Sequence, residues 1–272
     1  MCSATVLPAS PSFQSIEEKL REQLKEMKRT SFGTEYVAFH ASRDEVIALA
    51  ASEMVNTFRR VVLDPVRGLV MLMSPSARHE GISGYMDDFV GSVSTLKGIK
   101  TEKLRATRWR REIDPKNTGN EADCSFYFGR KAVDFAKAYA RSEEEADAYS
   151  FRTPPDLVVE VGLTHVSEEK YLSYLDKGVV EFWQLNARPR RQGRRIMTAT
   201  FLDLQAESGP LEIDTSLNLP DITPAHVIRF IHLRSGKLLD HYEVIDAVRN
   251  LLEDENGGTM IREEAEEYEL AS

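Results

Sequence analysis

A chain of 272 residues, 42% hydrophobic and 29% charged, has the balance of an ordinary soluble protein and is long enough for one large domain or two small ones. No run approaches the roughly 18 apolar residues of a membrane span, and the opening MCSATVLPASPSFQS lacks the features of a secretory signal, so a soluble intracellular protein, cytoplasmic or nuclear, is expected. Cys2 and Cys124 supply neither a disulfide framework nor a zinc pattern. The net charge of -9 is uneven: residues 253–272 hold eight acids against Arg262, which leaves the remainder near neutral and neither favours nor excludes a nucleic-acid partner.

In chain order, SIEEKLREQLKEMKR begins with Ser15 three residues before Glu18, a capping-box spacing, and continues as a charged amphipathic helix. RDEVIALAASEMVNTFRR reads as a second helix, with Ser42 and Glu45 in the same relation. Residues 60–73 read as two short strands about a turn near Asp64, Pro65 and Gly68. Beyond them Ile82, Tyr85, Met86, Phe89 and Val93 recur at spacings of three and four, the stripe of a core-facing helix with Glu80 in its first turn.

LRATRWRREI alternates as a half-buried strand does, and DCSFYF is a further strand after the loop DPKNTGNEA. Residues 129–154 read as an excursion between two core strands, helical at most in pieces. DLVVEVG then forms a strand apolar enough to be buried on both faces, interrupted by Glu160. HVSEEKYLSYLDKG is a helix stopped by Gly178, and VVEFWQL a returning strand joined by a hairpin around Arg190–Arg195 to IMTATFLDL. Helices fit PAHVIRFIHLRSG and YEVIDAVRNLLEDE, followed by an acidic tail. The expected architecture is α/β or α+β, a mixed central sheet flanked by helices. Its expected divisions are a leader with an accessory helix over 1–41, the main domain over 42–235, and a C-terminal helix with the tail over 236–272.

An ionised Glu in a doubly buried strand is costly unless it is paired or binds a metal, which makes Glu160 the most informative residue. Phosphodiester hydrolysis with Mg²⁺ or Mn²⁺ needs carboxylates converging from different elements, and gains from a Lys that orients or deprotonates the attacking water. Asp123 opens one strand, Glu160 lies within the next, Lys170 follows on a helix, and Glu80 begins an earlier helix. Each also has a plain structural reading: a turn acid, a buried salt bridge, a solvated lysine and an acid favouring the helix dipole. His79 reads as a cap or surface histidine.

PDLVVEV followed by KYLSYLDKGVVEFWQL resembles the Uma-type restriction endonuclease family of the PD-(D/E)xK nuclease superfamily. The residues that carry the likeness are Pro155, Asp156, Glu160, Val161, Lys170, Tyr174, Gly178, Val179, Glu181, Phe182 and Trp183, with Met73, Ser74, Pro75 and His79 upstream. The resemblance spans residues 58–220. It implies a PD-(D/E)xK core in which Asp123, Glu160 and Glu80 bind metal and Lys170 is the lysine moved from strand to helix. The chain departs from the pattern at Ala122, where a Pro is usual, and at Gly162, Leu163, Thr164 and His165, where Leu-Ser-Pro-Ser is usual.

Arg188, Arg190, Arg191, Arg194 and Arg195 cluster at the hairpin, where phosphate contacts would need them. The expected function is a metal-dependent endonuclease on nucleic acid, DNA first, which many enzymes of this fold perform as homodimers. The competing expectation is an inactive nuclease fold serving as a nucleic-acid or protein binding module.

Overall fold

The computed structural model describes residues 16–25, 28–29, 35–50, 60–64, 67–74, 77–104, 119–120, 122–162, 168–175, 177–189, 195–235 and 237–254. Two sheets are present where one was expected. The smaller is antiparallel throughout, in the order β1 (Lys28–Arg29), β2 (Glu35–His40), β4 (Leu69–Ser74), β3 (Arg60–Asp64), β6 (Gly119–Asn120). In β2, Val37 and Phe39 are buried while Ala38 and His40 are exposed, the period-two alternation of a one-sided strand. Those two residues pack with Leu20 of α1 (Ile16–Lys25), Val46 and Leu49 of α2 (Arg43–Ala50), and Leu63, Val70 and Leu72.

β2 is an element the sequence reading did not find, and Lys28 and Arg29 lie in a strand where a helix was expected. The expected turn between β3 and β4 is observed. Gly68 there has φ +64°, and a Cβ on it would lie 2.4 Å from the Ala41 carbonyl oxygen, so both backbone sign and space call for glycine. The expected capping box of α2 is also present: Ser42 Oγ accepts from the Glu45 N–H at 3.3 Å, and Glu45 Oε2 from the Ser42 N–H at 2.6 Å.

The larger sheet is mixed, in the order β11 (Leu211–Ile213), β10 (Arg195–Asp203), β9 (Glu181–Pro189), β8 (Leu157–Gly162), β7 (Cys124–Phe128), β5 (Thr101–Leu104). Among the described residues only β8 and β9 run parallel, and the chain between them carries α6 (Glu168–Leu175), as a parallel connection requires. One face packs on α3 (Ala77–Lys97), α7 (Pro224–Arg234) and α8 (His241–Glu253) through Met86, Phe89, Trp183, Phe201, Phe230 and Val248. Trp183 and Phe201 stack at 4.3 Å between centroids. On the other face Val158, Phe182 and Leu204 lie with Tyr174 of α6. β8 is thus buried on both sides, as its composition requires.

Residues 129–154 correct the sequence reading. They hold two full helices, α4 (Gly129–Arg141) and α5 (Glu143–Arg152), that join the adjacent strands β7 and β8. Ser142 ends α4 and caps α5, its Oγ accepting from the Glu145 N–H at 3.0 Å. The acidic run Glu143–Glu145 occupies the first turn of α5, where the helix dipole favours negative charge. A run that looks like a solvated loop is therefore a helix start. Of LRATRWRREI only Leu104 is described, at the end of β5. Among the described residues no helix is long and apolar enough to cross a membrane.

Gly68→Ala should lower the unfolding free energy by about 1–3 kcal/mol, since a left-handed residue gains a Cβ against a fixed carbonyl. A urea titration of the two proteins checks this, and equal midpoints would refute it.

Candidate active site

Glu160 is 0% exposed, in a strand whose alternate residues Leu157, Val159 and Val161 face α3, α7 and α8. Alternation places it with Val158 on the α6 face. The buried Tyr174 hydroxyl of α6 donates to Glu160 Oε1, so part of the cost of this carboxylate is met by a charge-assisted hydrogen bond. Lys170 occupies the α6 position one turn before Tyr174, on the same side of that helix.

Asp123 immediately precedes β7. The antiparallel register ends at Cys124 opposite Val159, one residue short of Asp123. Two acids remote in sequence are nevertheless brought close along the backbone, because the Asp123 side chain bonds the residue that follows Glu160. Asp123 is 5% exposed, and its Oδ2 accepts from the Val161 N–H at 2.7 Å. The side chain there closes a bond that a backbone carbonyl would close further along the ladder.

His79, in the first turn of α3, places Nε2 3.2 Å from the same Asp123 oxygen. It is buried, and its Nδ1 lies 3.9 Å from Glu80 Oε1. Glu80 therefore lies beside His79. The start of α3 is held in place through Ser83, whose Oγ donates to the His79 carbonyl at 3.1 Å and whose own carbonyl accepts from Cys124 Sγ at 3.2 Å. His79 belongs to the site and was missed as a candidate. Its position one residue before Glu80 gave no sign that the ring turns inward to a strand end.

Gln184 was also missed. It is the register partner of Glu160 on β9, and Thr200 of β10 stands opposite Gln184. Glu160, Gln184 and Thr200 form a polar row across three strands. The next row toward the strand ends holds Gly162, Asn186 and Thr198, whereas the row before it holds Val158, Phe182 and Leu202. The face is thus apolar beneath α6 and polar toward the C-terminal ends of β8 and β9. Only the β9 sequence QLN hinted at this, as alternate polar residues in an apolar strand.

Two other acids of the motif stretch serve the fold. Asp156 accepts from the Phe128 N–H at 2.9 Å and pairs with Lys131 at 2.6 Å, anchoring the start of α4. Glu181, fully buried, accepts from Trp183 Nε1 at 2.5 Å and, at its other oxygen, from Ser216 Oγ at 3.1 Å, Asn218 N at 3.1 Å and Asn218 Nδ2 at 2.8 Å. It shares the Trp183 face, opposite Glu160. Burial pushes its carboxyl above the usual range, and these hydrogen bonds pull it back only in part.

The donor chemistry at Asp123 and Glu160 fits a hard divalent ion, since Mg²⁺ commonly takes one or two carboxylates and completes its shell with water and substrate oxygens. Among the described residues no group of three or more His, Cys, Asp and Glu side chains could hold a metal ion. Arg188 and Arg195 stand at the paired ends of β9 and β10, while Arg190, Arg191 and Arg194 lie outside the described residues.

Two outcomes are expected. Tyr174→Phe should cost about 1–3 kcal/mol in chemical denaturation, because a buried carboxylate loses a donor; an unchanged midpoint would contradict the Glu160 contact. For Glu181 the folded carboxyl is the raised one, so its contribution to stability is full below the unfolded value near 4.5 and is lost as pH rises through the folded value. The stability advantage of the parent over Glu181→Gln should therefore shrink between pH 4.5 and neutrality, read from urea midpoints across pH. A constant or growing advantage would count against it.

No protein-family model matches the chain, and no curated protein matches it.

Proposed function

We propose that this chain is a Mg²⁺- or Mn²⁺-dependent nuclease of the PD-(D/E)xK kind, hydrolysing phosphodiester bonds in nucleic acid, with DNA as the first substrate to test. The observation that carries the reading is that Asp123 is bonded to the N–H of Val161, the residue after Glu160, while the helix over Glu160 bears Lys170 one turn from the tyrosine bonded to it. The polar half of that face also gives a flexible phosphate chain a surface that an apolar strand end would not.

Asp123 and Glu160 would hold the ion. A bound divalent cation supplies an activated water and offsets charge on the phosphoryl oxygens. Val161 N–H and Tyr174 keep the two carboxylates in place, so the donor set is formed before substrate arrives. Lys170 takes the role of orienting or deprotonating the attacking water, and hydrolysis proceeds without a covalent enzyme intermediate. Along β9, positions 184, 186 and 188 have one parity, so that face leads from Gln184, the neighbour of Glu160, toward Arg188. An arginine at that position suits contact with the phosphate backbone.

The test is incubation of supercoiled plasmid and single-stranded DNA with Mg²⁺, Mn²⁺ or EDTA, beside Glu160→Ala and Lys170→Ala. Metal-dependent cleavage is expected, reduced about 10²–10⁴-fold in Lys170→Ala and abolished in Glu160→Ala. If Glu160→Ala cuts as well as the parent, the assignment is wrong. Binding of DNA without cleavage in any metal would favour the binding-module reading instead.

A further inference from the structure

A carboxylate holds a cation well only when it is kept in the right orientation, and in metal sites that is done by hydrogen-bonding groups behind the ligand. Asp123 has two such groups at one oxygen, the Val161 N–H at 2.7 Å and His79 Nε2 at 3.2 Å. Two contacts to one oxygen, one from the β8 backbone and one from α3, hold the carboxylate more firmly than a single backbone donor would. His79 is itself held: it is buried in the first turn of α3, whose Ser83 carbonyl is bonded by Cys124, the residue next to Asp123. The imidazole is thus tied to the strand end it serves.

Glu80 lies at the other ring nitrogen, 3.9 Å from Nδ1, with its side chain 35% exposed. Two ligands of one octahedral Mg²⁺ can be no more than about 4.2 Å apart, twice the metal–oxygen distance. Glu80 meets the imidazole at Nδ1, the nitrogen that does not face Asp123. We propose that His79 is a positioning residue for the Asp123 carboxylate and that Glu80 stands behind the imidazole instead of acting as a third metal ligand. The inference rests on the reading of Asp123 and Glu160 as the holders of a divalent ion.

Mn²⁺ titration by calorimetry tests it on the parent, Asp123→Ala, His79→Ala, His79→Gln and Glu80→Gln, with thermal unfolding of each protein recorded without metal. The parent should show saturable binding that Asp123→Ala abolishes. His79→Ala should bind about 10–100-fold more weakly, the usual loss when the partner of a ligand is removed. His79→Gln should recover most of that loss, because its amide N–H reaches the place of Nε2–H. Glu80→Gln should weaken binding by less than His79→Ala does.

Parent-like affinity in His79→Ala, or no recovery in a His79→Gln protein that melts as the parent does, overturns the positioning role. Loss in Glu80→Gln as complete as in Asp123→Ala makes Glu80 a ligand and overturns the second half. If the parent binds no Mn²⁺, or binding survives Asp123→Ala, the two-carboxylate reading itself fails and this inference falls with it. Failure confined to the His79 variants leaves that reading standing.

Discussion

A carboxylate in the middle of a strand buried on both faces is the constraint from which the rest of this site follows. Breaking a buried ionic pairing costs about 3–5 kcal/mol, so Glu160 can persist only if other elements deliver donors to it. Tyr174 does so from α6, which fixes how that helix docks over Val158 and Phe182. β7 must end level with Glu160, since Asp123 accepts from the Val161 N–H one residue on. α3 must start where His79 meets Asp123. Strand register, helix docking and helix start are thus linked through two acids.

Glu181 makes the contrast that gives this weight. It too is a fully buried acid in an apolar strand, and Asp203 stands at its register position on β10, but both of its oxygens are bonded by groups from the strand itself and the 216–218 segment. Its role is to hold that segment against β9. A buried acid by itself is therefore no sign of chemistry in this fold. What separates Glu160 is the polar row through Gln184 and Thr200 that continues from it across the sheet, and an Asp123 side chain bonded to the N–H of the next residue, Val161.

What could be read from the sequence follows the strength of the local signal. DLVVEVG, the Gly68 turn and the Ser42–Glu45 box are each fixed by neighbouring residues, and each is present. The six residues of β2 carry only Val37 and Phe39 on their buried side, too short an alternation to read, and without β2 the β3–β4 pair had no further partner and no separate sheet could be inferred. The α4–α5 stretch was misread because an acidic run signals solvent as readily as a helix N-terminus. In the site, Glu160 was legible because its chemistry conflicts with its strand. The bond of Asp123 to the Val161 N–H joins residues 38 apart, and the His79 contact spans 44, so neither has a local pattern.

The charge on these acids exceeds what the hydrogen bonds of the fold require. An Asn at 123 would accept from Val161 N–H through its amide oxygen, and a Gln at 160 would accept from Tyr174 in the same way. Asp156 and Glu181, by contrast, are each held by a cation or by several neutral donors that account for them. On the proposed reading a divalent cation would use the charge that neutral isosteres lack, and that would give acids, in place of amides, a reason to stand at these two positions.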